Sequence, residues 1–257
     1  MPRILELHSE LLGKFTYDAY TRLLQSLRKA YKIVPFREVR RTKPPYLILR
    51  HDVDASLESA LAMANLEHRI GVKSTYLVLF SHRIYNLFEE DSFLILRRIR
   101  ELGHEIGLHY DLNAYRQYAK SHSAYRKQLE NEAGILGSWL RTRVVTIARH
   151  NPDRSMDPLR DVRAFINAYD KGYFELYVSD SCKAWDFAAV SRLLHGRYCR
   201  VQLLIHPALW SRSVHGREAT LRQVFDKASL KDEEYLDRWL QMWRRSSRLK
   251  EYDRVMK

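Results

Sequence analysis

The chain has 257 residues, 46% of them hydrophobic and 29% charged, a balance that fits a globular protein and excludes a disordered one. Its formal charge of +13 and pI near 9.7 favour anionic partners such as nucleic acid, phospholipid headgroups or phosphate-linked substrates. No apolar run approaches the roughly 18 to 20 residues of a membrane span, the first residues lack the apolar core of a secretion signal, and Cys182 and Cys199 form neither a disulfide framework nor a zinc motif, so a cytoplasmic protein with buried or idle thiols is expected.

Taken in chain order, residues 14–31 carry helical apolar spacing (Phe15, Tyr20, Leu23, Leu24, Leu27, Tyr31), which Pro35 and the Lys43-Pro44-Pro45 turn end. Residues 46–52 predict a buried strand. Residues 56–70 predict a helix that stops at Gly71, 74–80 a second strand, 91–102 a helix that stops at Gly103, and 104–109 a third strand. A long helix is expected over 115–141, a fourth strand over 144–148, and a short helix over 157–165 after the His150-Asn151-Pro152 loop. Strands at 176–179 and 201–206 follow. A last helix at about 217–245 packs Trp239 and Trp243 on one face. Alternating strands and helices predict an α/β fold with parallel strands. No linker or repeat interrupts the chain. A single domain over 1–257 is expected, with helical extensions at 1–45 and 211–257.

A parallel barrel carries its chemistry at the C-terminal ends of its strands. Asp52 and Asp54 end the first predicted strand. Residues two apart on a strand share a face, so the two carboxylates point the same way and repel unless a metal, a proton or a cation offsets them. His109 ends the third strand, Arg149 and His150 follow the fourth, Asp180 the fifth, and His206 the last. His51 alternates to the opposite side from Asp52 and Asp54, where packing or an indirect hydrogen bond suits it. His104 opens the strand that His109 closes, roughly 16 Å away at about 3.3 Å per residue, and belongs to the structural end. Tyr110, Tyr115 and Trp210 suit either sugar stacking or core packing. No zinc finger, RNA-binding sheet motif or basic zipper is present, so no nucleic-acid partner is expected. Peripheral membrane contact is compatible with the charge, and oligomeric state is unread.

His51-Asp52-Val53-Asp54, Gly103-His104-Glu105-Ile106-Gly107-Leu108-His109 and Leu203-Leu204-Ile205-His206-Pro207, in this order over residues 46–210, resemble the motifs of the polysaccharide deacetylase superfamily (the NodB-type fold, carbohydrate esterase family 4). The first motif has an Asp-x-Asp form. The resemblance implies a distorted (β/α) barrel of about seven strands. It also implies a divalent metal, usually zinc, with Asp54 and His109 as ligands, Asp52 as general base and His206 as general acid. Asp180, with Trp185 nearby, would orient His206, and Arg149 would pair with the base.

The chain departs from the family pattern where a second histidine is usual, four residues after His109. Asn113 stands there. Asn is a poor zinc ligand beside His. His150 is the favoured third ligand, with Asn113, through its carbonyl oxygen, as the alternative.

The expected function is removal of an N-acetyl or related N-acyl group from a sugar or glycan precursor, and the positive charge suits a phosphate-linked one. Two alternatives stand beside it. One is hydrolysis of another non-peptide C–N bond (N-formyl, cyclic amide or imide) on the same fold. The other is an inactive glycan-binding homologue.

Overall fold

A computed structural model describes residues 14–81, 84–115, 121–150, 162–216, 218–220, 222–226 and 233. Eight parallel strands carry the fold: β1 (Lys32–Val34), β2 (Tyr46–Val53), β3 (Thr75–Leu79), β4 (Glu105–Tyr110), β5 (Thr146–Arg149), β6 (Ile166–Asn167), β7 (Leu176–Ser179) and β8 (Arg200–Ile205). Seven of them run β6-β5-β4-β3-β2-β8-β7, and β1 pairs with the first three residues of β2. Helices α1 (Tyr17–Leu27), α2 (Leu57–Arg69), α3 (Glu90–Glu101), α4 (His122–Trp139) and α5 (Phe187–Leu194) accompany the sheet.

The sheet curls, because Ile48, Leu77, Ala148, Ile166 and Ala168, from β2 to just beyond β6, meet in one interior cluster. This is the distorted barrel the sequence predicts, and it is open. Among the described residues no ladder joins β6 to β7. Side chains reach across that gap instead: Gln202 Nε2 donates to the Ala168 carbonyl at 3.0 Å and the Tyr46 hydroxyl to the Tyr173 carbonyl at 2.8 Å.

Strand alternation sorts the side chains. Leu47, Leu49, Leu203 and Ile205 face the helices in one cluster, and Val53, Val78, Ile106 and Ile147 in another. Each fully buried side chain of this kind contributes roughly 1.5–3 kcal/mol. Inside the barrel, Glu105 accepts from the hydroxyls of Thr75 (2.7 Å) and Thr146 (2.6 Å) at the N-terminal end. Helix starts follow from side-chain caps: Thr16, Ser56, Ser121 and Asp186 accept backbone N–H bonds at the starts of α1, α2, α4 and α5. Gly71 and Gly103 follow α2 and α3 with φ of 68° and 95°, a left-handed conformation that glycine adopts without strain.

Several elements differ from expectation. The 1–45 extension is not wholly helical: it holds β1 and a 3₁₀ turn, Phe36–Arg41. Residues 162–165 form no helix, while β6 and α5 appear where none was predicted. Residues 157–161, and Trp239 and Trp243 of the last helix, lie outside the described residues, although 218–220 and 222–226 are helical. Both cysteines are exposed rather than buried.

A buried polar network braces β2 from behind. Glu67 of α2 accepts from the hydroxyls of Tyr20, Ser74 (2.6 Å) and Tyr76 (3.0 Å), and His51 Nε2 lies 2.6 Å from its Oε1. His51 stacks on Tyr76, ring centroids 4.3 Å apart. His104 donates from Nε2 to the Ala64 carbonyl (3.0 Å) and accepts the Ser74 N–H at Nδ1. Both histidines therefore have structural surroundings, as their strand positions predict. Burial pushes the Glu67 pKa up, but its interactions with His51 and the hydrogen bond from Ser74 outweigh it and bring it from 4.5 to about 2. A lowered pKa means stabilisation that is present above pH 4.5 and fades as pH falls towards 2, worth on the order of 3 kcal/mol. Glu67→Gln should lower the urea midpoint at neutral pH and flatten its fall between those two pH values, as unfolding curves across the acid range would show.

Candidate metal centre

Asp52 is the last inward residue of β2 before the strand ends, and Asp54 follows on the same side one residue beyond it. His109, near the end of β4, and His150, directly after β5, come to the same place. Asp54 Oδ1 lies 3.3 Å from His109 Nε2 and 3.4 Å from His150 Nδ1, and the two ring nitrogens are 3.2 Å apart. An ion bound at about 2.0–2.1 Å in a tetrahedral site separates its ligands by about 3.3–3.4 Å. The three donor atoms therefore already form one face of such a tetrahedron. His109 Nδ1 lies 3.0 Å from the Ala148 carbonyl. A carbonyl only accepts, so Nδ1 carries the proton and Nε2 offers its lone pair towards Asp54. Asp54 Oδ1 is shut off from solvent and lacks a well-aligned hydrogen-bond donor. A buried carboxylate oxygen facing two imidazole nitrogens fits a divalent cation in donor type and number.

Burial pushes the Asp54 pKa up, yet the surrounding imidazoles of His109, His150 and His206 hold it far below the usual carboxylate range. The His150 pKa is lowered by burial and raised more by Asp54, for a net rise. Asn113, the alternative third ligand, sits exposed on the helical turn Leu112–Tyr115 with its backbone N–H on Asp111 Oδ1. The structure groups His150 with Asp54 and His109.

Asp52 flanks this group, its Oδ2 3.5 Å from His109 Nε2. Its guanidinium partner is Arg50, not the expected Arg149. Arg50 Nε and Nη2 each bond one Asp52 oxygen at 2.7 Å, and both side chains are buried. The correction has a simple cause. Ala148 belongs to the interior cluster and Ile147 to the outer one, so alternation places Arg149 on the outer side and His150 on the inner. Arg50 was missed, although the rule that paired the two aspartates also puts Arg50 on their face. Tyr169 lies against Arg50, with the guanidinium carbon 4.7 Å from its ring centroid and the hydroxyl 3.1 Å from Nη2. Burial pushes the Asp52 pKa up, and the charge and hydrogen bonds of Arg50 more than offset it, so Asp52 is held below its ordinary value.

On the other flank, His206 Nε2 lies 3.7 Å from Asp54 Oδ2. Its Nδ1 is 2.6 Å from Asp180 Oδ1, and its backbone N–H is 3.0 Å from both Asp180 oxygens. The Trp210 indole N–H donates to Asp180 Oδ2 at 2.7 Å. Burial lowers the His206 pKa, and Asp180, with Asp52 and Asp54, raises it to about 9. Trp210, Tyr110 and Tyr115 are at most 2% exposed and serve the core rather than a sugar-stacking surface. A cleft of about 590 Å³ is lined by Ala55, the first turn of α2, Tyr85 and Trp210–Arg212, and none of Asp52, Asp54, His109, His150 and His206 lines it. That volume is within the roughly 300–1,000 Å³ of small-molecule sites. Among the described residues, no helix is long and apolar enough to cross a membrane.

No protein-family model matches the chain, and no curated protein matches it. Solved structures do. One is a CE4 family pseudoenzyme from Bacillus anthracis, with 14% identity over 73% of this chain and 61% of that one and a TM-score of 0.45. Another is the catalytic domain of a peptidoglycan N-acetylglucosamine deacetylase from Eubacterium rectale, with 13% identity over 74% and 86% and a TM-score of 0.44. A third is a family 4 carbohydrate esterase from Streptomyces lividans in complex with acetate, with 12% identity over 74% and 89% and a TM-score of 0.45. The chain spans 61–64% of the length of the pseudoenzyme structures it matches. Scores this low support no assignment of the site, whose chemistry follows from its own geometry.

Asp54→Ala, His109→Ala and His150→Ala should each abolish stoichiometric zinc binding, and Asn113→Ala should retain it. Metal analysis after dialysis, beside calorimetric titration with zinc, checks this set.

Proposed function

We propose that the protein is a metal-dependent hydrolase that removes an N-acetyl or related N-acyl group from a sugar or glycan precursor. The observation that supports this most is the pair of opposed environments on either side of one metal-ligand group. Asp52 is clamped by an arginine and kept ionised, whereas His206 is clamped by an aspartate and kept protonated. Two titratable groups pushed apart in this way divide into base and acid.

A divalent cation held by Asp54, His109 and His150, with zinc the best match to two imidazoles and a carboxylate, would polarise the acyl carbonyl and acidify a water. Asp52 takes the proton from the attacking water as the new C–O bond forms. Arg50 holds that carboxylate in one rotamer and favours its ionised form. When the C–N bond breaks, His206 gives the nitrogen the proton on Nε2 so that the product leaves as an amine. Asp180 fixes the ring through Nδ1, so that Nε2 faces the group around Asp54. The products are a carboxylic acid and a free amine.

Purified protein should release acetate from N-acetylated amino sugars and stop doing so when chelated, with activity restored by zinc. Turnover of larger acyl amides or cyclic imides, with no acetate release, would transfer the reading to the wider class of C–N hydrolases, and no turnover with any amide would sink it. His206→Ala should lower kcat by about 10²–10⁴-fold, the usual contribution of a general acid. In the intact enzyme, activity should fall as pH rises and His206 deprotonates. Asp180→Asn removes the largest contribution holding its pKa up, so the alkaline limb of the kcat profile should shift to lower pH. Arg50→Gln should shift the acid limb to higher pH, because Asp52 then ionises less readily.

A further inference from the structure

Five arginines gather in one place far from the metal centre. Arg37, Arg40, Arg41, Arg143 and Arg163 line a groove of about 650 Å³, in which Glu38 is the one described acid. All five arginines are exposed. They come from three segments: the 3₁₀ turn Phe36–Arg41 after β1, the turn before β5, and the turn before β6. The last two lie at the N-terminal ends of their strands. The groove is therefore at the opposite end of the barrel from Asp54 and His206.

Its walls are held in place. The backbone N–H of Phe36 bonds Thr75 Oγ1 at 2.8 Å and that of Arg37 bonds Glu105 Oε2 at 2.9 Å. Two guanidiniums are oriented by neutral acceptors: Arg40 by the Tyr173 hydroxyl at 2.9 and 3.0 Å, and Arg37 by the Gly103 carbonyl at 2.8 Å. Elsewhere on the described surface some arginines find carboxylates, as in Arg97–Glu101, Arg126–Glu130, Arg200–Glu175 and Arg222–Glu218, and others, such as Arg100 and Arg192, bond backbone carbonyls. Among the described residues, no side-chain ion pair joins these five to an acid. Among the described residues, five cations facing one concavity against Glu38 leave a positive potential that an added anion would neutralise. A guanidinium presents a planar fork that matches two phosphate oxygens. A single monoanion would leave most of the charge in place, so the groove suits several phosphoryl groups carried together.

We propose that this groove is a binding site for a ligand bearing two or more phosphoryl groups, independent of the metal centre and of the hydrolase reading. A free oligophosphate and the headgroups of an anionic bilayer share this chemistry. The test uses the full chain, chelated so that no metal is left to capture phosphate, with inorganic pyrophosphate titrated by calorimetry at fixed ionic strength. Wild type and Asp54→Asn should bind alike. Arg143→Gln/Arg163→Gln should bind at least tenfold more weakly, while melting at the same temperature and binding zinc as before. Vesicles of phosphatidylglycerol in phosphatidylcholine form the second arm. Vesicle binding without pyrophosphate binding, lost in the double variant, supports the site and assigns the phosphoryl groups to a lipid surface. Undiminished binding by the double variant overturns the proposal. So does sulfate competing as well as pyrophosphate, or binding to neither pyrophosphate nor vesicles.

Discussion

The two-pronged pair between Arg50 and Asp52 is the interaction on which the rest of the barrel mouth depends. Both side chains are buried. An isolated carboxylate at that depth carries a desolvation penalty of several kcal/mol, and a buried pair is tolerated only when its geometry is good and its remaining donors are bonded. Here both conditions hold. Arg50 meets each Asp52 oxygen with a separate nitrogen, and further donors face Gln202 and the Tyr169 hydroxyl. Gln202 belongs to β8, and Tyr169 to the stretch that follows β6. The ion pair thus draws together the two sides of a sheet that no ladder closes.

That arrangement sets what the neighbouring groups can do. With Asp52 compensated by Arg50, Asp54 is left as the carboxylate that faces His109 and His150. Under the proposed function, the like-charge conflict between two aspartates on one face would be settled by giving each its own cation, Arg50 for Asp52 and a metal for Asp54. His206 is placed by a third carboxylate, Asp180, that itself takes bonds from a backbone N–H and an indole. Under the proposed function, base, ligand group and acid would each have a dedicated supporting residue, and such support keeps reacting groups within the small tolerances that catalysis needs.

Much of this was legible in the sequence because it follows from the two-residue period of a strand. The period gave the shared face of Asp52 and Asp54, the opposite face of His51 and the remote end of His104. The same period held the answer for Arg50, but an arginine inside an apolar run reads as an interruption until its partner is known. At β5 the period alone left Arg149 and His150 open, since the inward phase of a four-residue strand depends on Ala148 and Thr146 meeting the interior. Strands β1 and β6, three and two residues long, are too short to show any periodicity. Their pairing comes from neighbours already in place. Asn113 stood four residues after His109, a spacing that suggests a ligand on a helix. The turn at Leu112–Tyr115 instead leaves it facing solvent.

His51 sits between Arg50 and Asp52 in the chain and on the other side of the sheet, held by Glu67 and stacked on Tyr76. This alternation makes β2 self-proofreading during assembly. A slip of one residue against β3 or β8 would turn His51 inward, away from its carboxylate, and send Arg50 and Asp52 into the apolar layer beneath the helices. Three ionisable groups would lose their partners together, so the misaligned strand is penalised on both faces before any apolar contact is counted. The residues that serve the chemistry thereby also dictate how the central strand finds its place.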